Sequence, residues 1–484
     1  MYIGIDLGTS SVKLLLMNDN GDVIKTVTKD YPLIFVKETW IEQHPKDWFN
    51  SVLEGLKEIV KGYEKSILAI SFSGQMHGLV VLDEKDEVIR PAILWCDQRT
   101  EKECNYLNEK IGKDFLLKNT GNIALTGFTL PKILWIRENE PENFKRISKV
   151  MLPKDYIAYK LSGIFATDVS DASGMLILDV KNRKWSSEMI KISGLKEENF
   201  AKIYESYEKI GTLKKEIANQ LNINNEIKIV IGGGDQAVGA VGVGVVKSDY
   251  LSVALGTSGV VFADSSKYVY DKDGRLHSFC HASGRYHQMG VILSAASCLK
   301  WWVEEINKTT DYEQIIKEAK EAEAKDLYFL PYLVGERTPH NDPNVRGSFI
   351  GLNASHKRGD MTKAILEGVA FALRDSYEIL KEIGLKSKIV RLSGGGAKNI
   401  LWREIICNIF ALETEVVNSL EGPAFGAAII AAVGDGIYKN IDEACDKIIK
   451  SFGRMSPNEL EVKKYNQKYE HFKKLYPILK EFYN

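Results

Sequence analysis

An aspartate that follows three glycines, and a hairpin turn that occurs twice, are the residues here from which chemistry can be built. The segment GGGDQAVGA puts Asp235 at the end of an apolar strand, among glycines that leave space around its carboxylate. Such a group can take a proton from an incoming hydroxyl. It also stands just before the small-residue run QAVGAVGVG, where it can cap a helix, and the sequence leaves both roles open. The turn is LGTS, in YIGIDLGTSSVK at 2–13 and in YLSVALGTSGVV at 250–261. A Gly-Thr-Ser turn offers bare N–H groups and hydroxyls suited to phosphate oxygens. Thr9 and Ser10 in one copy, and Gly256 and Thr257 in the other, are therefore candidates to grip a polyphosphate from two sides.

The copies differ in what precedes them. Asp6 stands before the first turn and can hold Mg2+ as a hard oxygen ligand, whereas Ala254 cannot. Asp235 is the second metal candidate. Lys13, matched along the sequence by Val261, either adds a cation or is a solvated strand lysine. The glycines of LSGGGAKN at 392–399 permit close approach of a flat group such as adenine, or else a tight strand-to-helix joint. His77, in GQMHG, follows a strand terminus, the edge at which open α/β sheets bind ligands. A packed histidine is the plainer alternative. The motifs GxxxxGK[ST], GxGxxG and HExxH are absent, which excludes a P-loop or a dinucleotide fold.

The elements that must position these groups come in two sets. Residues 2–30 read as a β-meander, 47–63 as a helix with Trp48, Val52, Leu56 and Ile59 at helical spacing, and 66–73 as a buried strand. A further apolar strand stops in glycines at 228–234. The second half again opens with an LGTS hairpin and again reaches a strand ending in glycines, at 388–396, which we pair with the one at 228. An internal duplication of one α/β module explains both pairs, with domains expected at 1–247 and 248–484. The last helix places Tyr465, Tyr469, Phe472, Tyr476 and Leu479 on one face, as a cap on the second domain.

At 484 residues, 44% hydrophobic and with a formal net charge of −1, the chain reads as soluble, with no nucleic acid and no membrane among its partners. Six scattered cysteines, none in CxxC pairs, read as reduced thiols of a cytoplasmic protein. A strand beginning at residue 2 leaves no room for a signal peptide.

Two segments, GFTLPKILWIREN (127–139) and GSFIGLNASHKRGDMTKAILEG (347–368), fit the signature patterns of the FGGY carbohydrate kinases. SGQMHG (73–78), RPAILWCDQR (90–99), LPKDYIAYKLSG (152–163), SDASGM (170–175), HSFCHA (277–282) and LPYLVGERTPHND (330–342) extend the likeness along nearly the whole chain. The chain therefore resembles that family, whose fold is a doubled ribonuclease-H-like α/β domain of the actin-like ATPase type flanking a deep cleft. The resemblance implies a sugar kinase using ATP and Mg2+, with Asp235 as proton acceptor and Met76 and His77 on the sugar. Asp6 and the two turns would handle magnesium and phosphates, and Gly395, Gly396 and Asn399 would lie by the adenosine. D-xylulose is the implied acceptor; another pentulose, a hexulose or gluconate are the alternatives, and a sugar and nucleotide sensor without turnover is the alternative of another class. Cys96 departs from the asparagine that family members often carry there. Its neighbours Asp97 and Arg99 are candidate sugar contacts or a buried structural pair. His281 is read as structural, a homodimer stays open, and the domains are expected to close on the sugar to exclude water.

Overall fold

Apolar runs split by an Asn-Asp-Gly turn fold at the N-terminus into three antiparallel strands, Tyr2–Leu7, Ser11–Met17 and Val23–Asp30. The protein is seen in a computed structural model that describes residues 1–224, 226–418 and 422–483. On the far side of Tyr2–Leu7 two strands add in parallel, first Ala69–Gly74 and then Lys228–Val230. A second sheet repeats the plan. Tyr250–Leu255, Gly259–Ser265 and Tyr286–Ile292 run antiparallel, and Ile389–Ser393 and Glu413–Val417 add in parallel. Each sheet then gains an antiparallel edge strand, Lys209–Thr212 in the first and Ser451–Met455 in the second. The parallel strands are buried between layers, which is why they read as continuous Ile, Val and Leu runs.

This order corrects one pairing drawn from the sequence. Ile389–Ser393 lies beside the first strand of its sheet, so its counterpart is Ala69–Gly74, whereas Lys228–Val230 corresponds to Glu413–Val417. Glycines after a strand mark close approach of a ligand or loop, and they recur at different strands of the two modules.

The helix Asp235–Gly242 follows the fifth strand of the first module, and Gly422–Asp435 is its counterpart in the second. They cross at the centre of the molecule. A Cβ at Gly426 would stand 1.9 Å from the carbonyl oxygen of Val238, so only glycine allows this approach. Gly422–Asp435 also covers the first sheet, burying Ala424, Phe425 and Ile429 with Tyr2, Leu15 and Val230. Lys228 Nζ on Asp435 at 2.7 Å fixes its end.

Between its fourth and fifth strands the first module carries a largely helical insertion, on which an edge hairpin of the second module docks. Asn122 and Ser278 exchange two hydrogen bonds, at 2.9 and 3.0 Å, and Ser173 Oγ accepts the Cys280 N–H at 3.0 Å. The C-terminal helix, Glu459–Tyr483, buries Tyr465, Tyr469, Phe472 and Tyr476 against the second module, with Leu479 partly covered, as its periodicity predicts. All six cysteines are free. Among the described residues no helix is long and apolar enough to cross a membrane.

Candidate active site

Asp6 ends the first strand of the first module and pairs with Lys13 across the hairpin. Asp235 begins the helix that follows Gly233–Gly234, and these glycines pair with Ser73 and Gly74 of the strand next to Asp6. Two carboxylates from distant sequence are thereby brought to one edge of the sheet. Both line a cavity of about 750 Å³ whose far wall comes from the second module, through Ala254, Gly256, Ser393 and Gly395. Gly234, rather than Asp235, occupies the N-cap, and it makes no side-chain cap. The capping role considered from sequence therefore does not hold.

Burial pushes the Asp235 carboxyl up to about 7, with the nearby Asp6 charge adding to the shift and hydrogen bonds from Gln236 opposing it. Burial also raises Asp6, to about 6, against a hydroxyl bond from Ser73 and the charge of Lys13. An acid that releases its proton near neutrality is poised to take one from an alcohol. Behind it the loop is held rigidly. Ser170 Oγ accepts the Gly234 N–H at 3.1 Å, and Ser170 itself bonds to Asp168 at 2.5 Å. Asp168 in turn pairs at 2.9 Å with Lys154, whose side chain is fully buried.

A second cavity, of about 940 Å³, opens from the first, the two sharing Gly395 and Lys398. Thr257, Gly395, Gly396 and Asn399 line it with the apolar Leu299, Ile316 and Leu401, a shape and chemistry suited to a purine. Asn399 also caps its helix, its Oδ1 accepting the Trp402 N–H at 3.2 Å.

The two LGTS turns are not alike. Four residues separate the paired Leu7 and Val12, but three separate Leu255 and Gly259. Lys13 therefore faces Asp6, while Val260 faces Ala254, and the match of Lys13 with Val261 is off by one residue. The second turn is strapped from behind by Ala295 and Ala296 N–H groups on the carbonyls of Thr257 and Gly256. In the first turn, Gln43 Nε2 donates to the Thr9 carbonyl at 2.7 Å and Tyr31 to that of Gly8 at 2.6 Å. The Thr9 hydroxyl accepts the indole N–H of Trp95 at 2.9 Å, and Ser10 is exposed.

On the insertion side, His77 has a left-handed backbone, φ 68°, which costs a non-glycine residue about 1–2 kcal/mol. Bonds to its carbonyl from Thr129 at 3.1 Å and Lys132 at 2.9 Å offset this. Its Nδ1 donates to the Gly174 carbonyl at 2.8 Å, and the ring stacks on Phe128 at 4.7 Å. Burial, the largest cause, drops the imidazole to about 3, so it is neutral and Nε2 is left as an acceptor. A Cβ on Gly174 would meet this ring at 2.4 Å. Met76 packs between Gly174 and Gly234, joining the histidine to the aspartate loop.

Asp97 and Arg99 are not brought to this pocket. The Asp97 carboxylate is fully buried and spent on Arg99, at 2.7 to 3.0 Å, and on the Ile41 N–H at 2.6 Å. Arg99 continues to Glu42 at 2.7 Å and lies over Trp40 and Trp135. The structure favours the structural side of the alternative drawn from sequence, since carboxylate and guanidinium are bonded to each other and to Glu42 in the interior. Sequence reasoning missed four residues instead. Phe128, His277 and Phe279 form an aromatic wall around His77, with His277 and Phe279 stacked at 5.5 Å, and Trp95 is exposed beside the first turn. HSFCHA pointed to two of them, but no strand alternation in so short a motif tells which residues face inward.

Two actin-like modules face each other across a cleft that holds Asp6, Asp235 and the glycine-lined cavities, which is the architecture of a phosphotransferase. Residues 1–242 and 251–434 match the N- and C-terminal domains of the FGGY family of carbohydrate kinases, and the chain belongs to that family. It is 39% identical to a xylulose kinase of Bacillus subtilis strain 168, over 99% of this chain and 97% of that protein. Among solved structures it is similar to a xyloylose kinase from Brucella ovis, with TM-score 0.94, 35% identity and 99% of both chains covered. A gluconate kinase from Lactobacillus acidophilus superposes with TM-score 0.95 at 28% identity, over 99% of this chain and 98% of that one.

Proposed function

We propose that the chain transfers the γ-phosphoryl group of ATP to the terminal hydroxyl of D-xylulose, with Asp235 as general base. The observation that carries the reading is the Asp235 carboxyl, which lines a nucleotide-sized cavity beside Asp6 and is held near neutrality by burial and by that neighbour, while Met76 packs between Gly234, the residue before it, and the Gly174 that touches His77. The naming of the similar bacterial proteins as xylulose kinases supports the ketose. In the reaction, Asp235 takes the proton of the terminal hydroxyl as its oxygen attacks phosphorus. His77 Nε2 accepts from a hydroxyl along the sugar and fixes its rotation. Thr257 and the first turn orient the phosphates, and Gly395, Gly396 and Asn399 hold the adenosine. The protein's share is mostly positioning, since phosphoryl transfer asks little covalent work of it.

The donor set fits magnesium. Asp6 and Asp235 supply two carboxylates, and among the described residues no group of three or more His, Cys, Asp or Glu forms a metal cage. Mg2+ is commonly held by one or two carboxylates with substrate phosphates and water. Bound there, it would neutralise phosphate charge, and it would relieve the repulsion between Asp6 and Asp235. ADP release measured across free ketoses, pentitols and gluconate tests the assignment. The expected outcome is fastest release with D-xylulose; release with gluconate alone, or with no sugar, overturns it.

A further inference from the structure

Of the three arginines in RPAILWCDQR and LPYLVGERTPHND, the structure spends two and leaves the third, and Arg90 is spent on Glu42 and Glu140. Arg99 is consumed by Asp97 and Glu42. Arg337, in GERTPHND, is half-buried, and among the described residues its guanidinium enters no ion pair or recorded hydrogen bond. Its backbone is firmly set: Glu336 Oε1 accepts both the Arg337 N–H at 2.7 Å and the Leu293 N–H at 2.9 Å, and Thr338 Oγ1 accepts the Val291 N–H at 3.0 Å. Together with Asn122, His277 and Asn341 it lines a cavity of about 20 Å³ between the insertion of the first module and the second module. That is room for one oxygen-sized group among polar side chains. The Arg337 charge also weighs on both His77 and His277, lowering each, which agrees with its facing the aromatic wall.

His277 ties this cavity to the aromatic wall of His77, through Phe128 at 5.6 Å and Phe279 at 5.5 Å, and the acceptors beyond that wall say what the cation is for. Asp235 and the His77 Nε2 both accept, and so both serve hydroxyls. A ketose has one oxygen that cannot donate, its carbonyl, and that oxygen needs a donor. Lys132 spends its ammonium on the carbonyls of His77 and Gly127, and Lys154 on Asp155 and Asp168. We infer that Arg337 is the substrate-binding residue that donates to the carbonyl end of the sugar, so that it sets preference for a ketose over the corresponding pentitol. This rests on the ketose kinase reading above.

The test compares a 2-ketopentose with its pentitol, the latter as substrate or as competitive inhibitor, in wild type, Arg337→Gln and Arg337→Lys. A charge-assisted bond to a buried carbonyl discriminates by roughly tenfold or more. Arg337→Gln is expected to raise the ketose KM by that factor with a smaller change in kcat. It should leave pentitol affinity nearly unchanged, so that the ketose-to-pentitol ratio falls about tenfold. Arg337→Lys should restore most of the ratio. Thermal melting and ATP titration identify a variant that has merely lost its fold, and the lysine variant then carries the comparison. An equal loss on both acceptors, or no loss, overturns the assignment. Wild-type protein that turns over no ketose defeats the kinase reading itself, a result visible before any variant is made.

Discussion

Two modules with the same strand order have been put to opposite uses. Where the first presents Asp6 at the end of its first strand, the second presents Ala254; where the first begins its central helix with Asp235, the second begins with Gly422 and Pro423. The neighbouring carboxyls Asp6 and Asp235 thus come from one module, and the wide cavity lined by Thr257, Gly396 and Asn399 from the other. A second pair of carboxylates facing the same phosphates would add repulsion in a site of low effective dielectric, where charge interactions are strong. Duplication supplies the symmetric frame, and chemistry requires that the symmetry be broken at two positions.

The largest effect that can break this comparison is expected at Asp235. Asp235→Asn keeps size and removes the proton acceptor, so sugar phosphorylation should fall by about 10²- to 10⁴-fold while ATP and sugar still bind. Because Gly234 occupies the N-cap, thermal stability should change little. Raised magnesium should not recover the rate; recovery would mean that Asp235 serves mainly as a metal ligand. A folded variant phosphorylating at near wild-type rate would remove the asymmetry as an explanation of catalysis.

The duplicated module, the two hairpins and the place of Asp235 at a strand's end beside the cleft were legible because each rests on local pattern: apolar runs, turn residues, an acid after glycines. What was not legible depends on strand order and on partners distant in the chain. The glycine-ended strands looked equivalent, yet one stands fourth and the other fifth in its sheet. Asp97 and Arg99 stayed open between sugar contact and structural pair because nothing in WCDQR reveals Glu42 or the Ile41 N–H, more than fifty residues away. Arg337 lay in a motif that was read for its likeness alone, since freedom from a partner is a property of the fold.

An intermediate effect sharpens the comparison between the two turns. Thr257 lines the nucleotide cavity, while the Thr9 hydroxyl already accepts from Trp95. Replacing Thr257 with valine should weaken ATP binding by about tenfold, the worth of a hydrogen bond to a charged group. Thr9→Val should weaken it less and should change Trp95 fluorescence, because the indole loses its partner. Steady-state ATP KM and emission spectra of both variants decide the matter, and equal losses of ATP affinity would restore a symmetric clamp.

The smallest expected effect concerns stability, and it follows from the two neighbouring carboxyls of the cleft, Asp6 and Asp235, both coming from the first module. Asp235 is raised to about 7 and Asp6 to about 6, both above their ordinary carboxylate range, so the folded protein holds protons that the unfolded chain releases. The stability this contributes is fully present below about pH 4 and is lost as pH rises through 6 to 7, when two charges must share one buried floor. Asp235→Asn carries no such charge. The melting temperature of the variant relative to wild type, both free of nucleotide and metal, should therefore rise between pH 5 and pH 8, by a few degrees at most in a chain of this size. Magnesium with nucleotide should shrink that difference by neutralising the pair, whereas magnesium cannot affect the second module's Ala254. A variant whose relative melting temperature is flat across this range would show that Asp235 is ionised without cost, and its poise as a base near neutrality would then need a cause other than burial beside Asp6.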